Sequence, residues 1–108
     1  MEYKKIPSKY QVGGQEMEVR LVERCENNKL GLCCVARGRV EIADIFNKDT
    51  PCCESGKVNT FYHELTHSIL DTMGEDELSA NERFVSSFSS FLTEAMKNAY
   101  FKEGEQPF

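Results

Sequence analysis

The chain has 108 residues, of which 13 are basic and 18 acidic, for a net charge of -5; this length fits one domain with a core of its own and leaves no room for a second. The acidic balance, with no basic cluster longer than Lys4-Lys5, argues against a nucleic-acid or anionic-membrane surface. The opening stretch MEYKKIPSKYQVGGQ lacks the apolar core of a signal peptide, and no later apolar run nears the ~20 residues that span a bilayer, so a soluble, cytoplasmic protein is expected.

Residues 1–10 read as a frayed start. In MEVRLV (17–22), Met17, Val19 and Leu21 alternate with Glu18 and Arg20, the period-2 pattern of a half-buried strand. ENNK (26–29) is a turn, and LGLCCVA (30–36) and RVEIADIF (39–46) read as two further strands closing over Arg37 and Gly38. A small antiparallel sheet of about three strands follows.

NKDTPCCESG (47–56) has loop chemistry and marks the change from strands to helices. Val58, Phe61, Tyr62, Leu65, Ile69 and Met73 recur at spacings of three and four, which predicts a helix from Lys57 to Met73 stopped by Gly74. A second helix is expected over Ser79 to Phe101, with Val85, Phe88, Phe91, Leu92, Ala95, Met96 and Ala99 on a wide apolar face. Residues 102–108 read as a frayed tail. The fold class is α+β, one domain over 1–108.

The only two histidines, His63 and His67, fall four apart within the first helix, with Glu64 directly after the first. Side chains at i and i+4 stand one above the other, so both rings can face one ion at about 2.0–2.1 Å, the bond length of zinc. Glu64 follows the first ligand by about 100° of rotation, where its carboxylate can act as general base on a water without ligating the metal.

A catalytic zinc takes a third protein ligand and keeps one position open. With no third histidine, an acid of the second helix must supply it. In an antiparallel hairpin turning near Gly74 to Leu78, residues 82–89 lie opposite the histidines, and Glu82 is the only carboxylate among them. Glu77, in or beside the turn, is the competing ligand; the bland role for Glu82 is that of a first-turn acid on the helix dipole. Ser86, Ser89 and Thr93 form a small-residue stripe that lets the two helices approach closely.

HELTH followed by NERF (81–84) resembles the gluzincin metallopeptidases, and the run TFYHELTHSILDTMGEDELSANERFVSSFSSFL, about a third of the chain, is similar to the small ImmA/IrrE-type metallopeptidases, including compact phage and prophage members. The resemblance implies a reduced core of small sheet, HExxH helix and glutamate helix. It also implies Zn2+ held by His63, His67 and Glu82, with Glu64 as the catalytic base. Ser86 stands where the longer NExxxD pattern has an aspartate supporting a zinc histidine. For the group that stabilises the oxyanion, Tyr62, Tyr100, Arg37 and Arg39 are the candidates. A peptide would add as a strand to a sheet edge expected within residues 39–46.

The expected function is a zinc-dependent endopeptidase acting on a protein or peptide substrate, with no direct nucleic-acid or membrane partner; the resemblance suggests a DNA-binding regulator as substrate. The alternative is a catalytically weak zinc-containing module that captures such a regulator. Glu64 divides them, because a structural zinc site needs no such acid. The five cysteines, Cys25, Cys33, Cys34, Cys52 and Cys53, are odd in number, include two adjacent pairs and lack CxxC spacing, so reduced thiols are expected. A four-sulfur site from residues 33/34 and 52/53 is the other reading for four of them.

Overall fold

The structure, a computed structural model, describes residues 6–46, 49–100 and 102. It is an α+β fold with a small mixed sheet and three helices. Among the described residues no helix is long and apolar enough to cross a membrane.

The chain enters the sheet earlier than the alternation of 17–22 suggests. Strands β1 (Lys9–Val12) and β2 (Gln15–Val22) form an antiparallel hairpin over Gly13 and Gly14. Both glycines have positive φ, 56° and 82°, as a two-residue hairpin turn requires. Lys9 and Tyr10 therefore belong to a strand and not to a frayed end. Tyr10 packs edge-on to Phe61 at 5.8 Å and its hydroxyl lies 2.9 Å from Ser68 Oγ.

The sheet has four strands and is mixed, which corrects the expected three-stranded antiparallel arrangement. β3 (Gly31–Cys34) and β4 (Arg39–Ala43) pair antiparallel, but β4 pairs parallel with β2, giving the order β1-β2-β4-β3. Gly38, at φ 62°, turns the chain from the edge back to the centre. Side-chain alternation fixes which face a residue takes and not which strand lies beside it, so the neighbour order was open. The inner face carries Met17, Val19, Val40 and Ile42 against Phe61. The outer face carries Glu18, Arg20, Arg39 and Glu41, with ion pairs Arg20–Glu18 and Arg39–Glu41.

The strand expected over 39–46 ends at Ala43. Ile45–Phe46 (β5) pairs instead with Thr50–Pro51 (β6), so part of the expected loop is a two-stranded ribbon; residues 47 and 48 lie outside the described residues.

Helix α1 runs from Glu54 to Met73, starting three residues before the expected Lys57. Cys53 caps it, its thiol accepting the N–H of Gly56 at 3.4 Å, and Gly74, at φ 80°, ends it as expected. Val58 and Phe61 of the apolar stripe are buried, whereas Ile69 and Met73 are exposed.

The single helix expected from Ser79 is two. A short α2 (Asp76–Ala80) is separated by Asn81 from α3 (Glu82–Lys97). Asn81 leaves the helical region, at φ -84° and ψ 89°, and its Oδ1 accepts the N–H of Phe84. Of the wide apolar face read from the sequence, Val85 is buried and Leu92, Met96 and Ala99 are half-buried, whereas Phe88, Phe91 and Ala95 are exposed; the line that α3 buries is Val85, Ser89 and Thr93. Small side chains on this line let α3 lie close to α1, and phenylalanines could not.

Candidate metal centre

His63 and His67 stand one turn apart on α1, with ring centroids 5.0 Å apart. Glu82, in the first turn of α3, reaches back to both. Its Oε2 lies 3.1 Å from His63 Nε2 and its Oε1 3.1 Å from His67 Nε2. Each Nε2–H donates to one carboxylate oxygen. The three ligand atoms lie within 4.8 Å of one another, so this group could hold a metal ion; among the described residues no other group of three or more His, Cys, Asp or Glu side chains does so. Cysteines 33, 34, 52 and 53 therefore do not converge on a four-sulfur site. All five cysteines are free thiols.

The competing ligand Glu77 is exposed on α2 and takes no part in the group. α2 contributes differently, through Ser79, whose buried Oγ lies 3.0 Å from His67 Nδ1. A metal-ligating histidine normally fixes its second nitrogen on such a partner. Ser86, the position the resemblance associates with that support, is exposed. A serine in a short inter-helix segment carries no sequence signal of this role.

Glu64 is 7% exposed. Burial, with the Glu82 carboxylate adding to it and Lys29 opposing it, pushes its carboxyl from the ordinary 4.5 up to about 7. Burial also holds the His63 imidazole below its ordinary value, with His67 adding to the effect and Glu82 working against it.

These groups line a cleft of about 580 Å³ whose other wall is Lys29, Leu30, Gly31, Leu32 and Cys33. That wall is β3 with the two residues before it, and β3 is an edge of the sheet, with only β4 as its neighbour. The expected edge within 39–46 is thus corrected: Arg39–Ala43 is interior, between β2 and β3. The edge passes directly over the acid, since a Cβ on Gly31 would stand 2.7 Å from Thr60 Cγ2 and 3.0 Å from Glu64 Cγ. A glycine inside a strand is the sequence sign of such close approach.

The four candidates for oxyanion stabilisation are not in this cleft. Tyr62 is absent from its lining, Tyr100 is exposed past the end of α3, and Arg37 and Arg39 line a separate pocket that shares Leu32 and Cys33 of β3. Lys29 is the cleft's one basic wall residue other than the two histidines. It follows Asn27 and Asn28, both at positive φ (57° and 58°), which turn the chain before β3.

No protein-family model, curated protein or solved structure matches this chain.

Proposed function

We propose that the protein is a zinc-dependent endopeptidase that cleaves an extended segment of a protein partner. The observation that carries this reading is the buried Glu64 carboxyl beside the His63, His67 and Glu82 donors, in a cleft walled by a free strand edge. A structural metal site closes with four protein ligands and has no use for such an acid.

The donor set fits zinc. Two imidazoles and one carboxylate are a combination found at catalytic zinc; their ligand atoms lie within 4.8 Å of one another, so a small contraction would bring them to the roughly 3.3 Å spacing of ligands 2.0–2.1 Å from a tetrahedral ion. Zinc held there would supply Lewis acidity, lowering the pKa of a water and polarising a carbonyl. Glu64 takes the proton of the attacking water and delivers it to the leaving amine, the role open to a buried carboxyl beside the donors that is not itself a ligand. Ser79 holds the His67 ring in orientation. Lys29 carries the countercharge for the developing oxyanion.

The free edge of β3 offers main-chain donors and acceptors to an extended peptide, which would lie across Glu64 as an added strand. The same open cleft supports a substrate chosen by its exposed segment, and the resemblance to ImmA/IrrE-type enzymes suggests a DNA-binding regulator.

The test is a digest of a protein mixture, including candidate regulators, by zinc-loaded protein, with new N-termini identified by mass spectrometry. Cleavage should vanish with chelator and in Glu64→Gln. Identical fragment patterns for the wild-type and Gln proteins would overturn the assignment.

A further inference from the structure

The side of α3 turned away from Glu82 is not used by the cleft. Phe84, Phe88, Phe91 and Ala95 follow one another there at spacings of four, three and four, within about 60° of helical rotation, the spacing of a two-helix seam. Phe84 and Phe88 stack at 5.8 Å, and Phe88 and Phe91 are 47% and 70% exposed. Half-exposed phenylalanines in a row mark an interaction surface.

We infer that a second copy of the chain covers this face, α3 packing antiparallel on α3 about a twofold axis. The charges select this occupant. Arg83 and Glu94, both exposed, lie at opposite ends of α3 on one flank, within about 20° of each other. With Phe88 against the partner's Phe91 and Phe84 against the partner's Ala95, Arg83 falls about 3 Å along the axis from the partner's Glu94. The twofold axis repeats the pair. Parallel packing in register would set like charges together instead.

The area sets the strength. At roughly 200 Å² per phenylalanine, Phe88 and Phe91 offer about 230 Å² per copy, or about 460 Å² over both copies, before the flanking side chains are counted. An apolar seam below the ~1,000 Å² of a stable specific interface makes a weak, reversible dimer, so association is expected only toward the upper end of the micromolar range. The cleft stays open in the dimer, because Glu82 points to the other side of α3.

Sedimentation velocity of the full chain from about 1 to about 500 µM tests this, read with circular dichroism to confirm folding. The wild type should pass from monomer to dimer across that range, and Phe88→Glu with Phe91→Glu should stay monomeric. Arg83→Glu should weaken the dimer at least about tenfold, and adding Glu94→Arg should restore it. A wild type monomeric throughout, a dimer that survives the double Glu substitution, or a charge swap no better than Arg83→Glu alone would each overturn the proposal. None of these readouts depends on zinc or on peptidase activity.

Discussion

Ser79 Oγ stands 3.0 Å from His67 Nδ1, although the two residues belong to different helices and lie 12 positions apart. The five-residue α2 thus reaches the nitrogen of the His67 ring that Glu82 does not contact. Ser79→Ala should weaken metal binding about 10–100-fold while leaving the helices intact. Competition with a fluorescent chelator measures it, and unchanged affinity would reduce Ser79 to a packing residue.

The donors themselves should matter more. His63→Ala, His67→Ala and Glu82→Ala should each lose the single bound metal, because two protein ligands hold zinc weakly. Glu77→Ala should keep it, since Glu77 lies outside the group. Metal analysis of the purified variants distinguishes the two acids.

Glu64→Gln should retain metal and lose cleavage by a factor on the order of 10²–10⁴. The same substitution has a second readout in the metal-free protein. The folded carboxyl holds its proton up to about pH 7, whereas the unfolded one releases it near 4.5. The group's contribution is therefore fully present below pH 4.5 and is lost as pH rises through 7, by on the order of 2–3 kcal/mol. Urea unfolding at pH 5 and pH 8 should show a fall in wild type that Glu64→Gln flattens.

Gly31→Ala should destabilise the fold by about 1–3 kcal/mol, because the new methyl meets Thr60 and Glu64 across the cleft wall. Pairing it with Thr60→Ser, which removes the nearer of the two groups and keeps the hydroxyl bonded to Gly56, should recover part of the loss. Thermal melts of the single and double variants give the comparison.

Much of the centre was legible in HELTH because helical geometry is local: His63, Glu64 and His67 need only α1 to be set relative to one another. Glu82 was reachable by hairpin counting even though Asn81 breaks the expected helix, since the break falls just before it. Ser79 behind His67 and Lys29 in the cleft wall were not, for each is placed beside a bend, at Asn81 and at Asn27–Asn28, that periodicity does not encode. The strands were found where alternation is strong, as in 17–22. Their order was not, because the parallel partnership of Val19 with Val40 is a tertiary choice. The exposure of Phe88 and Phe91 was not legible for the same reason: a pattern identifies an apolar face and does not say whether this chain supplies its cover.

The thiols should separate by reactivity. Cys53, at the start of α1, is held below the ordinary thiol range by the Gly56 N–H, whereas burial pushes Cys33 to about 12 and Cys25 to about 11. Brief alkylation at pH 8 followed by mass spectrometry should label Cys53 well ahead of those two, and all five thiols should react once the chain is denatured. Fast labelling of Cys33 in the folded protein would mean that β3 opens readily.

His63 and Glu82 are 19 residues apart in the chain and belong to α1 and α3. A cation gripped by both would act as a cross-link across the helical hairpin, so the melting temperature should rise with the logarithm of free zinc. At a hundred times the dissociation constant the gain would be about 2.7 kcal/mol, a large fraction of what holds so small a domain folded. Removing the metal would then lower the fraction of chains that stay folded, whatever else the ion does.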